Sequence, residues 1–166
     1  MGSPEMTCPK RPDLRLDDQI CFALYVATSA VTRAYCPLLG ELGLTYPQYL
    51  VMLALWQDGA MTVSGLAARL RLGPSAITPL VDRLEAAGFV ARARTSDRRV
   101  VLVALTDAGR RLEEEASKTQ QDVVCRVGLS DGSLSALRQE LMNLADRVTA
   151  PVAVQGVSSG RPRQDR

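Results

Sequence analysis

The stretch from Met61 to Leu105 constrains this chain most. Two short runs with helical apolar spacing, Val63 to Leu70 and Ser75 to Ala87, are separated only by Arg71-Leu72-Gly73-Pro74. Two helices joined by so tight a glycine-bearing turn form a helix-turn-helix. Gly88 stops the second helix. Phe89 to Arg94 and Arg99 to Leu105 then read as strands around the polar turn Thr95-Ser96-Asp97-Arg98. A basic hairpin directly after a helix-turn-helix is a wing. On the second helix Ile77, Leu80, Val81 and Leu84 make the inner face; Ser75, Ala76, Thr78, Asp82 and Arg83 make the outer one. Small polar residues at that helix's N-terminus suit entry into a major groove. Pro79 removes a backbone donor early in the helix and predicts a slight distortion there.

Charge distribution points the same way. The chain's net charge of +2 argues for nothing on its own. Between Leu66 and Arg111, however, nine arginines face only Asp82, Glu85, Asp97 and Asp107, so this segment carries +5 and the remainder −3. A local basic patch on a near-neutral chain is the electrostatic footprint of DNA binding. The hairpin arginines Arg92, Arg94, Arg98 and Arg99 can enter a minor groove or hold phosphates.

Long helices flank this module. Ile20, Leu24, Ala27, Val31, Ala34 and Leu38 form an apolar stripe on a helix expected from about Leu16 to Leu39, with Pro37 implying a kink or break near its end. Thr45 and Pro47 open a core helix, Gln48 to Trp56. Thr106 caps a helix from Asp107 to Val127, and Ser130 caps a last one. On that last helix Leu134, Leu137, Leu141, Leu144 and Val148 keep a three-four spacing, typical of coiled-coil-like pairing. The expected fold is mostly α with a small β wing: a winged helix-turn-helix with long N- and C-terminal dimerisation helices. Residues 1–13 read as a flexible N-terminus and 14–149 as a single domain. Within it, 14–45 and 107–149 supply the dimerisation helices and 46–106 the DNA-binding part; 150–166 read as a disordered tail.

The thiols add a second theme. The four cysteines are Cys8, Cys21, Cys36 and Cys125; none has C-x-x-C spacing, and there is no histidine. That disfavours a zinc site and removes histidine-based nucleophile dyads, and no cofactor or metal is called for. All four tyrosines fall between residues 25 and 49. Phenol hydroxyls can donate hydrogen bonds to a thiolate, the form that reacts with peroxides. Cys21 lies at the edge of the first helix's apolar stripe, close in sequence to Tyr25, Tyr35, Tyr46 and Tyr49. Each of these side chains is also compatible with ordinary core packing. No run approaches the length of a spanning helix, and no apolar segment follows Lys10 and Arg11, so a cytoplasmic protein without membrane contact is expected.

Three stretches carry a resemblance: Gln19-Ile20-Cys21-Phe22-Ala23-Leu24-Tyr25, Leu42-Gly43-Leu44-Thr45-Tyr46-Pro47-Gln48-Tyr49-Leu50, and Ile77-Thr78-Pro79-Leu80. With the wing pattern Asp97-Arg98-Arg99, the chain resembles the MarR family of winged-helix repressors over roughly residues 14 to 149. Within that family it is similar to the organic hydroperoxide resistance repressors of the two-cysteine type.

The resemblance implies a homodimer on double-stranded operator DNA, with organic hydroperoxides as inducers. It implies that Cys21 is the peroxidatic thiol, that Tyr35 and Tyr46 hydrogen-bond it from the other subunit, and that Cys125 resolves the sulfenic acid as an intersubunit disulfide. It places Ser75, Ala76, Thr78, Pro79, Arg83, Arg94, Asp97, Arg98 and Arg99 at DNA, with Asp97 orienting Arg99. Three features depart from the family pattern. The recognition helix opens Gly73-Pro74-Ser75-Ala76 in place of Asp-Ser, Asp82 replaces a usual lysine, and Cys36 replaces a basic residue. Cys36 remains a second candidate for resolving Cys21. Two other readings stand beside this one: a MarR-type repressor released by a non-covalent phenolic or drug-like ligand, and a thiol peroxidase. The residues supply no catalytic machinery beyond thiols and tyrosines, so an enzyme is not expected.

Overall fold

The computed structural model describes residues 14–94 and 100–150. The expected flexible N-terminus with Cys8, the tail after Ala150 and the wing tip with Asp97, Arg98 and Arg99 lie outside the described residues.

A 3-10 turn at Leu16–Asp18 precedes α1 (Ile20–Glu41). Gln19, extended at φ −90° and ψ 121°, separates the two, so the helix starts later than its apolar spacing suggests. Pro37 lies inside α1 without ending it. Its side chain is exposed, so water can serve the carbonyl one turn back that loses its donor. Then come α2 (Tyr46–Asp58), β1 (Met61–Thr62), α3 (Val63–Leu70) and α4 (Pro74–Ala86). β2 (Val90–Arg94), β3 (Val101–Leu105), α5 (Asp107–Val127) and α6 (Asp131–Thr149) complete the order. The mostly helical winged-helix architecture expected from the sequence is therefore present.

Local chemistry accounts for the boundaries. The Gln48 side-chain oxygen accepts both the Thr45 N–H and the Thr45 hydroxyl at 2.8 Å, closing the start of α2. Thr62 Oγ1 accepts the Gly65 N–H at 2.9 Å and caps α3. In the α3–α4 turn the left-handed residue is Arg71 (φ 55°), not Gly73, which is extended and serves as the N-cap of α4. The antiparallel sheet has the order β1-β3-β2, with Met61 opposite Val103, Val90 opposite Leu105 and Arg94 opposite Val101. Strand β1 has no sequence signature because two residues display no alternation.

The chain divides into two compact units after Val127. In the first, Leu39, Met52, Leu55, Leu66, Ile77 and Leu84 are fully buried and form one core from α1, α2, α3 and α4. Two long-range contacts tie α5 to it. Trp56 Nε1 donates to the Gly109 carbonyl at 2.9 Å, and Gly109 sits so close to β2 that a Cβ there would lie 2.0 Å from the Phe89 carbonyl oxygen. The second unit contains α6, which has no buried residue; Leu137 on its apolar seam is 46% exposed. Among the described residues no single helix is long and apolar enough to cross a membrane.

Candidate functional site: a thiol-bearing helix and an arginine-bearing hairpin

Two sets of residues stand out in the first unit. The first is on α1 and the start of α2. Packing α1 against α2 brings Tyr35 beside Tyr46, with ring centroids 5.6 Å apart, and beside Tyr49 at 5.5 Å. Tyr49 continues to Trp56 at 6.3 Å in an edge-on contact. Tyr49 is only 2% exposed, whereas Tyr35 and Tyr46 are half-buried. Burial raises all three phenol pKa values; Tyr49, also facing Tyr35 and Tyr46, reaches about 12. These phenols therefore remain neutral donors throughout the physiological range.

Because folding favours the neutral phenols, the stability they contribute is complete below about pH 10, the unfolded tyrosine value, and declines as pH rises through the raised folded values. In an absorbance titration the Tyr49 tyrosinate should appear only as pH approaches about 12, and Tyr49→Phe should delete that late component. A titration without a late component would contradict the packing.

Cys21 occupies the opposite end of α1 and is exposed, as are Cys36 and Cys125. It lies roughly fourteen positions from Tyr35 on one helix, about 21 Å along the axis at 1.5 Å per residue. The chain's own Tyr35 therefore lies beyond hydrogen-bond reach of its own Cys21. Along α1 the expected apolar stripe is uncovered, with Ile20 64% exposed and Leu24 and Val31 also exposed.

A cleft of about 200 Å³ lies beside Tyr49, Leu53, Trp56, Gln57, Ala116 and Ser117, between α2 and α5. It falls below the ~300–1,000 Å³ of ordinary small-molecule sites.

The second set is on α4 and the hairpin. Ile77, Val81 and Leu84 are buried, which leaves Ser75, Ala76, Thr78, Pro79, Asp82 and Arg83 exposed on the outer face. The Thr78 hydroxyl donates to the Pro74 carbonyl at 3.1 Å, which leaves its lone pairs outward. Arg94 is exposed at the end of β2. Arg83 and Arg94 make no ion pair among the described residues.

Arg92 differs from expectation. Instead of pointing to the wing's tip, its guanidinium turns back to α4, reaching Asp82 at 2.5 Å and also pairing with Glu85. Neighbouring carboxylates occupy two more arginines of the basic segment: Arg69 pairs with Asp58 at 2.7 Å and Arg110 with Asp107 at 2.8 Å. Sequence charge counting could not see these pairings, nor the Trp56 and Gly109 contacts. A glycine in the first turn of a helix was the one available signal for the latter.

A MarR family profile matches residues 44–101. The chain is 42% identical over 136 residues to the HTH-type transcriptional regulator TtmR of Methylorubrum extorquens, spanning 81% of this chain and 70% of that regulator. It is 38% identical over 127 residues to the organic hydroperoxide resistance transcriptional regulator of Bacillus subtilis, spanning 76% of this chain and 84% of the relative. Among solved structures, over-oxidised AbfR of Staphylococcus epidermidis bound to DNA superposes with a TM-score of 0.67 at 31% identity, over 81% of this chain and 96% of that one.

Proposed function

Because the chain belongs to the MarR family of transcriptional regulators, we propose that it is a homodimeric DNA-binding repressor that organic hydroperoxides release from its operator through Cys21. One observation carries the redox part. Cys21 starts α1, whereas Tyr35 lies toward its other end, beside Tyr46 of α2, and the apolar stripe between them is exposed at Ile20, Leu24 and Val31. A two-fold copy packed on that stripe meets it isologously, so each Cys21 approaches the tyrosine end of the other subunit's α1.

In this reading the Cys21 thiolate attacks the distal hydroperoxide oxygen. The O–O bond breaks, a sulfenic acid forms, and the alkoxide takes a proton and leaves as an alcohol. The partner subunit's Cys125 then attacks the sulfenic sulfur; an S–S bond forms and water leaves. The disulfide shifts the two α4 helices away from the one-turn spacing, about 34 Å, that successive major grooves require. Ser75, Ala76, Thr78, Pro79 and Arg83 would meet base edges and backbone, and Arg94, Asp97, Arg98 and Arg99 would form the wing's contact. A non-covalent ligand is the alternative reading, since the similar CouR of Rhodococcus jostii binds p-coumaroyl-CoA. A peroxidase fits poorly beside relatives that are regulators.

Mixed dimers test the shared site. A tagged Tyr35→Phe/Tyr46→Phe subunit keeps Cys21 but lacks the donors; a Cys21→Ser subunit keeps the donors. Paired with Cys21→Ser, the tagged subunit's Cys21 should form dimedone-trapped sulfenic acid about tenfold faster than in its own homodimer, the worth of a hydrogen bond to a charged group. Equal rates in the two dimers would overturn the shared site.

A further inference from the structure

Asp82 is the anomaly on α4: a carboxylate on the face that the proposed function turns toward DNA. Placed beside phosphates, an unpaired carboxylate would repel them. It is not unpaired. Arg92 of β2 reaches Asp82 at 2.5 Å and pairs with Glu85 as well, while the Arg92 backbone N–H donates to Glu85 Oε1 at 3.0 Å. Asp82 and Glu85, three residues apart, lie on one side of α4. A single guanidinium thus holds two turns of the helix, and one of its carboxylates also holds the strand's backbone. The planar fork of arginine suits this; the point charge of lysine does not.

The strand beyond matters more than the pairs themselves. Alternation puts Val90, Arg92 and Arg94 on one face of β2. Val90 is buried against the core, Arg92 is tied to α4, and Arg94 lies about 7 Å further on, exposed. Opposite Arg92 stands Val103, fully buried. The root of the wing is therefore clamped on both sides. Exposed ion pairs add little to fold stability; a three-way pair with a backbone bond restricts the angle between two elements.

We propose that Arg92, Asp82 and Glu85 form a positioning brace that sets the wing relative to the recognition helix, so that Arg94 and the helix's outer face engage DNA together. The brace rests on the reading of α4 and the wing as the DNA surface. It assigns Arg92 to positioning and not to phosphate contact.

The test uses the full-length protein and a duplex selected on wild type from a random-sequence pool, titrated over a salt series, with thermal melts confirming that each variant folds. Arg92→Ala should weaken binding about fivefold, the scale of coupled exposed pairs, with the wild-type salt slope retained. Arg94→Ala should instead lower that slope by about two, one phosphate contact from each subunit of the dimer. Asp82→Asn/Glu85→Gln should also weaken binding, although it deletes two negative charges from the DNA face. The triple variant should be no weaker than either and still weaker than wild type. Arg92→Lys should recover only part of the loss.

A reduced salt slope for Arg92→Ala would make it a phosphate ligand and overturn the brace. So would tighter binding by Asp82→Asn/Glu85→Gln or by the triple variant, because repulsion alone predicts that sign. Wild type showing no salt-dependent binding would overturn the DNA surface itself, and the brace with it.

Discussion

Gly109→Ala should cost the fold about 3 kcal/mol, at the upper end of overpacking penalties, and lower the denaturant midpoint accordingly. Two effects oppose each other here. Alanine is the better helix former by about 1 kcal/mol, and Gly109 lies inside α5. Against that, the new Cβ would sit 2.0 Å from the Phe89 carbonyl oxygen and 3.0 Å from its carbon.

That carbonyl is backbone and cannot rotate away. It is pinned by the Thr106 N–H at 3.0 Å, and the Thr106 hydroxyl holds the adjoining Gly88 carbonyl at 2.6 Å. Thr106 Oγ1 in turn accepts the Gly109 N–H at 3.1 Å. Relieving the clash means pulling α5 off the end of β2, which also strains the Trp56 bond to the Gly109 carbonyl. The clash wins. Gly132→Ala in α6, where nothing lies within 4 Å of the added carbon, is the matched control and should be neutral or slightly stabilising. Urea unfolding of both variants checks the contrast; a Gly109→Ala midpoint equal to wild type would show that α5 does not lock onto β2 in this way.

The sequence was most informative where a local signal decides local structure. α3 spans Val63–Leu70 and α5 spans Asp107–Val127, the ranges expected from their apolar spacing and flanking residues, because Thr62, Thr106 and Gly128 act within one turn. It was least informative where the outcome depends on distant partners. Arg92 belongs to a basic hairpin by composition, yet its position depends on Asp82 and Glu85. Counting charges treats an arginine already paired with two carboxylates as equal to Arg83 or Arg94. Pro37 illustrates the same limit. A proline predicts a break, but its cost depends on whether water can serve the freed carbonyl, and at an exposed position it can.

The candidate site was legible in parts. The tyrosine cluster was visible as a crowding of all four tyrosines into residues 25–49. Periodicity alone gave no sign that Tyr35 and Tyr46 pack together at 5.6 Å while Cys21 stands far along the same helix. In the proposed function that separation makes the thiol and the phenols parts of a site shared by two chains.

Cys21→Ser should have the largest functional effect. Serine conserves the side chain's shape but lacks the soft nucleophile, so the sulfenic acid cannot form and no disulfide can follow. Binding to the operator should persist, because Cys21 is on α1 and the proposed DNA face is on α4 and the hairpin. Cys125→Ser should separate the two chemical steps: Cys21 still oxidises, but the crosslinked dimer is lost on non-reducing gels. An unchanged dimer band in that variant would transfer the resolving role to Cys36 or Cys8.

The most direct measurement is the affinity of the reduced protein for a duplex selected on wild type, before and after cumene hydroperoxide, for wild type and Cys21→Ser side by side. Peroxide should weaken wild-type binding about 10- to 100-fold, a coupling of ordinary allosteric size, with recovery on reduction, while Cys21→Ser stays bound. Release of Cys21→Ser as readily as wild type would contradict the role proposed for Cys21.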